Sequence, residues 1–277
     1  MRQATAFHHF FLYDVSVVKL LPQDKAMLPQ FEIGIIGAGN AADGIIHGVL
    51  RNSILLDDRI IASNRNADRR DAIQQRYGIA VTDDNRYLVK NSSILIIAVK
   101  PQNHRDLLSE IAELISENHL LVSIMAGVST AAIEGLVPHC RARVVRVMPN
   151  LPMHVGAGMA GVCAGKFASD ADLLRAQRIF DAGGKSVHLD EESLMDAVTA
   201  VSGSGPAYFY LFTEAVIEAG KRAGLSQRYA QLLAKQACLG AAKMMIESNE
   251  SPEKLRQKVT SPNGTTAAAL AKKTEGL

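Results

Sequence analysis

The sequence predicts an α/β protein in which an N-terminal doubly wound, mostly parallel sheet is followed by an all-α unit. Three observations carry this reading. An apolar strand at residues 33–36 runs into the glycine turn Gly37-Ala38-Gly39-Asn40-Ala41-Ala42 and then into a helical pattern. Short apolar runs alternate with helical segments as far as residue 189, the pattern of right-handed βαβ crossovers. From Glu191 strand signals vanish and apolar residues recur at helical spacing. The division is therefore 31–190 and 191–277, with 1–30 as an extension outside the core.

The elements follow in order. After the first helix, residues 59–62 (RIIA) form a short buried strand and 68–77 a helix. Residues 80–81 are extended and 83–90 helical. Residues 94–99 are continuous, apolar and β-branched, as a central parallel strand requires. Residues 107–115 are helical, 120–124 a strand, 131–136 a short helix and 144–147 a strand. Glycine-rich 156–165 reads as extended, 172–180 as a helix and 186–189 as an edge strand. In the second unit Ser204-Gly205-Pro206 opens a long helix to about residue 222, with proline where its missing N–H does no harm. Gly224 ends it, and Ser226 caps a helix running to about residue 247. That helix carries a small-residue face of Ala234, Ala237, Gly240, Ala241 and Ala242. Ser251-Pro252 opens a shorter helix, and residues 260–266 form a loop before a final alanine-rich helix.

Composition narrows the function. A chain of 277 residues with 48% hydrophobic and 21% charged residues is that of a globular protein with ample core. A net charge of +2 sets up no field to recruit nucleic acid or a membrane, and no apolar run is long enough to span a bilayer. The 3 cysteines, Cys140, Cys163 and Cys238, have no metal or redox spacing, which favours a reducing compartment, the cytoplasm. The first thirty residues lack the basic region and small-residue cleavage site of a signal peptide and carry Asp14 and Asp24; an upstream start codon would account for them. His47, His104, His139, His154 and His188 are scattered, no GxSxG occurs, and no residues have metal-ligand spacing.

The glycine turn is the first chemical signal. A strand dipping into such a turn aims a helix N-terminus, with free N–H groups and a positive dipole end, at an anion. Gly37 permits the turn, Gly39 admits a pyrophosphate, and Ala42 lets the helix pack on the strand, a Rossmann-type dinucleotide site. The second strand leads into Ser63-Asn64-Arg65, where NAD enzymes carry an acid for the ribose hydroxyls; Arg65 instead suits the 2′-phosphate of NADP. Ala98-Val99-Lys100-Pro101, Ala126-Gly127 and Asn150 each follow a strand, where ligands of open α/β sheets bind. Taken singly, each is strand-end punctuation, and Lys100 alone reads as a solvated lysine. Pro262-Asn263-Gly264 has turn chemistry, and Thr265 and Thr266 then open a helix. On spacing alone that segment is a helix cap.

Together these motifs resemble the pyrroline-5-carboxylate reductase family. The carriers are IGAGNAA, SNR, AVKP, RVMPN, DAVTAVSGSGPAY and VTSPNGTT, in this order over nearly all of the chain from Phe31. The resemblance implies reduction of 1-pyrroline-5-carboxylate to L-proline, the last step of proline biosynthesis, with NADPH as the cofactor and NADH a weaker one. It implies a helical domain that dimerises or assembles further, with the active site near the dimer interface. By the same resemblance Ser261, Gly264, Thr265 and Thr266 form the substrate loop. Backbone N–H groups of Gly264 to Thr266 hold the carboxylate, and the Thr266 hydroxyl bonds the imine nitrogen. Asn85 matches a residue near the adenosine half of the cofactor. Three features depart from the family: Asn263 replaces the first of two glycines, Leu151 replaces a threonine, and family members continue beyond Leu277 into a longer helical tail.

Two other readings stay open. One is a two-domain NADP dehydrogenase acting on a hydroxy acid. Such enzymes place a lysine or histidine on the first long helix of the second domain, where this chain has Tyr208, Tyr210, Thr213 and Glu214. The other is an NADP-binding protein of the same fold that has lost activity.

Overall fold

The structure, a computed structural model, describes residues 29–262 and 264–274. Most of the expected extension, Asn263 and the last three residues lie outside these. The sheet is built from β1 (Phe31–Ile36), β2 (Ile60–Ser63), β3 (Ala80–Thr82), β4 (Ser92–Ile97), β5 (Leu120–Ser123), β6 (Arg143–Met148), β7 (Gly158–Ala164) and β8 (Gly184–His188), in the order β3-β2-β1-β4-β5-β6-β7-β8. Its helices are α1 (Asn40–Arg51), α2 (Ala67–Tyr77), α3 (Asn85–Lys90), α4 (His104–Ile111), α5 (Thr130–Gly135) and α6 (Asp170–Asp181). Neighbouring strands are parallel except β6 and β7, which pair antiparallel. The β6–β7 connection holds one 3-10 turn (Leu151–Val155) and no crossover helix, so the chain returns alongside β6 in the opposite direction.

The alternation of the central strands explains the two layers. Ile94 and Ile96 of β4 pack with Ala42, Ile45 and Val49 of α1 and with Ala176 and Phe180 of α6. Leu95 and Ile97 point to the other face, against Leu88 of α3 and Leu107, Leu108 and Ile111 of α4. Both faces are covered, so these strands are apolar throughout.

After β8 no strand occurs among the described residues. A 3-10 turn (Glu192–Leu194), α7 (Met195–Val198) and a π-helical turn (Thr199–Gly203) lead into α8 (Gly205–Arg222), α9 (Gln227–Glu247), α10 (Pro252–Lys258) and α11 (Thr265–Thr274). The Ser226 hydroxyl caps α9 by accepting from the Tyr229 N–H, and Gly224 is left-handed at φ 97°, as expected. The π turn and α7 are not signalled in the sequence. The strand expected at 186–189 begins at Gly184, and the helix expected at 107–115 starts at His104 and tightens into a 3-10 turn after Ile111.

The second unit makes almost no core of its own. Between residues 206 and 271, only Ala230 and Ala234 are buried among the described side chains. Tyr208, Phe209, Tyr210, Leu211 and Phe212 of α8 are all more than half exposed, as are Leu232 and Leu233 of α9. A helical stretch apolar all round, as at 208–212, belongs inside a larger core. Beside it a groove of about 940 Å³ runs between α8 and α9, lined by Tyr208, Phe212, Ala234, Ala237 and Ala241. Among the described residues no helix is long and apolar enough to cross a membrane.

Candidate active site

The sheet brings the predicted cofactor residues to one edge. Parallel pairing aligns the ends of β2, β1, β4 and β5, with Ser63 beside Ile36, Ile36 beside Ile97 and Ile97 beside Ser123. Gly37–Ala42, Asn64 and Arg65, Ala98–Pro101, Ala126 and Gly127, and Asn150 therefore emerge at the same carboxyl edge. The strand order reverses between β1 and β4, the crevice where open sheets bind dinucleotides.

The glycine turn is held from beneath. The N–H groups of Gly37 and Ala38 both donate to the Ser63 carbonyl, at 3.0 and 2.9 Å, and the Ala98 N–H donates to the Ile36 carbonyl at 2.8 Å. Gly37 sits at φ 102°, where an added Cβ would lie 2.8 Å from the Ala98 carbonyl oxygen, so glycine is required there. Gly39 differs. It precedes α1 with ordinary φ −95° and ψ −168°, and an added Cβ would meet no atom within 4 Å. No side chain caps α1, so the N–H groups of its first turn face this open space, a cradle suited to a pyrophosphate. Behind it Asp43 ties α1 to its neighbours. Its carboxylate accepts from Arg76 (3.0 Å) and the Tyr77 hydroxyl (3.0 Å), and lies 3.3 Å from His154 Nδ1. Burial, reinforced by the Asp43 carboxylate, pushes the Tyr77 phenol up to about 12.

The adenosine end departs from the sequence reading. Ser63 is the last residue of β2, not a loop residue, and is 1% exposed. Its hydroxyl donates to Asn85 Oδ1 at 2.7 Å, so it supports the turn and offers no donor beside Arg65. Asn85 opens α3, and its amide donates to the Glu110 carboxylate at 3.2 Å. Asn64 accepts from the Asn66 N–H in a local turn (2.9 Å) and its carbonyl accepts from Arg70, which also faces Asp83; Arg65 is exposed and without an ion pair among the described residues. Sequence reasoning did not single out Glu110; nothing marks an acid on α4 as a partner of a residue 25 positions earlier.

Asn150 also differs from a simple contact residue. Its Oδ1 accepts from the Met159 N–H (2.9 Å), while its amide donates to the Ser202 carbonyl and hydroxyl at 3.2 and 3.3 Å. It joins the end of β6 to the π turn before α8. Lys100 is exposed at the mouth of the crevice.

The expected substrate loop lies between α10 and α11. The Gly264 N–H donates to the Ser261 carbonyl at 3.0 Å and the Gly264 carbonyl accepts the first bond of α11 from Ala268. This corrects one assignment: the Gly264 N–H closes the turn, and a carboxylate would be held by the N–H groups of Thr265 and Thr266. A side chain at position 264 would fall on Ser261 Oγ. Asn263 lies outside the described residues. On the other side of the loop, the Val259 and Thr260 N–H groups and the Thr260 hydroxyl donate back to carbonyls of α10. Among the described residues no group of three His, Cys, Asp or Glu side chains could hold a metal.

Known proteins match this arrangement in both halves. A family model described as pyrroline-5-carboxylate reductase dimerisation matches residues 192–276, and one described as NADP oxidoreductase, coenzyme F420-dependent, matches residues 32–127. The pyrroline-5-carboxylate reductase of a Synechocystis species is 41% identical over 243 residues, covering 87% of this chain and 89% of its own. A solved pyrroline-5-carboxylate reductase from Coxiella burnetii superposes with a TM-score of 0.81 at 36% identity, covering 89% of this chain and 91% of its own. The Plasmodium falciparum pyrroline carboxylate reductase, solved with NADP bound, superposes with a TM-score of 0.80 at 28% identity over 90% of this chain and 91% of its own.

Proposed function

The chain belongs to the pyrroline-5-carboxylate reductase family, and from that premise we propose that it reduces 1-pyrroline-5-carboxylate to L-proline with NADPH, as the final step of proline biosynthesis in the cytoplasm. The observation that carries the proposal is the pairing of an uncapped, glycine-opened helix N-terminus at the sheet's switch point with a second, threonine-bearing helix start in the α-helical unit. One suits a dinucleotide, the other a small carboxylate.

The bound cofactor supplies the hydride. The chain supplies position and protons. The N–H groups of the first turn of α1 would hold the pyrophosphate, and Arg65 would meet the 2′-phosphate with paired N–H donors. Ala98, Val99, Ala126 and Gly127 would line the nicotinamide end. The N–H groups of Thr265 and Thr266 bind the substrate carboxylate, which fixes the face of the ring toward the cofactor. The Thr266 hydroxyl donates to the ring nitrogen and draws electron density from the carbon that is reduced. No lysine or histidine near the start of α8 stands ready as a proton donor for a hydroxy-acid substrate, which favours the imine.

The working unit is at least a dimer, its subunits packing α8 and α9 together. The exposed aromatic run 208–212 and the groove beside Ala234, Ala237 and Ala241 support this, since they are core surfaces without a core in one chain. Incubation of the purified protein with NADPH and the imine tests the proposal. Imine-dependent loss of absorbance at the nicotinamide band, with proline as product, is the expected result. An NADPH-binding protein that leaves the imine intact would support the inactive-homologue reading instead.

A further inference from the structure

Glu192 stands just after the sheet ends, in the 3-10 turn that leads to the helical unit. Its carboxylate reaches back into the sheet domain and accepts three bonds. The Thr130 N–H donates at 2.8 Å, the Thr130 hydroxyl at 2.6 Å, and Arg146 Nη1 at 3.1 Å. Thr130 and Arg146 are 5% and 6% exposed. Arg146 lies on β6 among Val144, Val145 and Val147, so its guanidinium needs a counter-charge where it sits, and Glu192 provides one.

Thr130 is the first residue of α5, and α5 follows the loop that carries Ala126 and Gly127. That loop is fixed at its start by the sheet: the Ile124 N–H donates to the Ile97 carbonyl and the Met125 N–H to the Ser123 hydroxyl. At its far end the Ser129 hydroxyl takes the Ala132 N–H, and Glu192 takes both donors of Thr130. The intervening residues include exposed Ala126 and exposed, left-handed Gly127, where an added Cβ would meet no atom within 4 Å. The same root of the helical unit is joined to β6 a second time, through Asn150 and Ser202. The loop and the start of the helical unit are thus tied to each other.

We infer that Glu192 is a positioning residue: its carboxylate fixes the loop from Ile124 to Thr130 so that Ala126 and Gly127 stand where the nicotinamide end of the cofactor binds. The inference rests on the function proposed above. Glu192 touches neither reactant, and it acts through Thr130. A misplacement of about 1 Å at a reacting centre costs on the order of a hundredfold in rate, so the clasp matters without contact.

The test compares wild type with Glu192→Ala and Thr130→Val. Hydrogen exchange of the cofactor-free protein is read over residues 124–133, with NADPH affinity, kcat and the NADPH-over-NADH preference measured alongside. Loss of a hydrogen bond to a carboxylate predicts exchange at these amides about tenfold faster or more in Glu192→Ala, with a smaller rise in Thr130→Val, which keeps its N–H. Turnover should fall about tenfold or more, whereas the preference between cofactors should hold, because Arg65 lies at the other end of the crevice. Thr130→Ser should restore the wild-type values. Should Glu192→Ala fail to fold, Thr130→Val and Thr130→Ser decide. Loop exchange and turnover within twofold of wild type, even with a lowered melting temperature, would overturn the inference and leave a purely structural ion pair. A wild-type protein that does not reduce the imine defeats the proposed function instead, and the cofactor-free exchange still judges the clasp.

Discussion

Replacing Gly37 and Gly39 separately by alanine should split folding from cofactor binding. At Gly37 the backbone is at φ 102°, and a Cβ would stand 2.8 and 2.9 Å from the carbonyl oxygen and carbon of Ala98. Ala98 is held by Ile36 and Gly37 by Ser63, so neither can withdraw freely. The left-handed conformation costs alanine about 1–2 kcal/mol and the overpacked contact about 1–3 kcal/mol more. Gly37→Ala should therefore lose roughly 2–5 kcal/mol, a melting shift of about 5–20 °C at this size. At Gly39 the angles suit alanine and no atom lies within 4 Å of the new methyl. Only a weaker helix start is lost, about 0.5–1 kcal/mol. The methyl would instead occupy the space above the first turn of α1, and NADPH affinity should drop at least about tenfold, 1.4 kcal/mol or more. Denaturant unfolding and a fluorescence titration with NADPH read the two effects. Wild-type affinity in Gly39→Ala would refute the cradle, and equal destabilisation by both substitutions would refute the packing argument.

Arg65→Ala should weaken NADPH and leave NADH nearly unchanged, because the Ser63 hydroxyl is committed to Asn85 and cannot substitute; parallel kcat/KM measurements with both cofactors check this, and equal losses would show that Arg65 does not read the 2′-phosphate. Thr266→Ala should cost about 2–4 kcal/mol of transition-state stabilisation with NADPH affinity unmoved, while Thr266→Ser keeps much of the activity; a loss under a few-fold in steady-state kinetics would leave the residue a helix component only. Gly240→Leu meets no atom of its own chain within 4 Å of the new Cβ. Leucine is also the better helix former, so the subunit itself should not be destabilised; overfilling a contact with a partner should instead cost about 1–3 kcal/mol of association, seen as a shift toward monomer in sedimentation.

The sheet was legible because its cause is local. Continuous β-branched runs such as 94–97 and the glycine turn at 37–39 announce strand, turn and helix within a few residues. The antiparallel β7 was seen only as extended, since direction depends on a connection too short for a crossover, not on the composition of the strand. The helical unit showed its class through periodicity but not its α7 or its π turn, the latter tied to Asn150 through Ser202, 52 positions away. The site residues appeared through motifs, while the groups that hold them did not. Glu110 behind Asn85 and Glu192 behind Thr130 are ordinary acids in sequence, made partners only by the sheet. The same distance effect misled the reading of Ser63, whose hydroxyl turns inward because α3 packs beneath it.

The central claim is hydride delivery from NADPH to the imine carbon of a carboxylate-anchored ring. Turnover of 1-pyrroline-5-carboxylate with NADPH deuterated on the transferred face, followed by mass and NMR analysis of the product, tests it most directly. The account predicts L-proline carrying one deuterium at the carbon that was the imine carbon. Unlabelled proline, or no proline while NADPH binds, would contradict it.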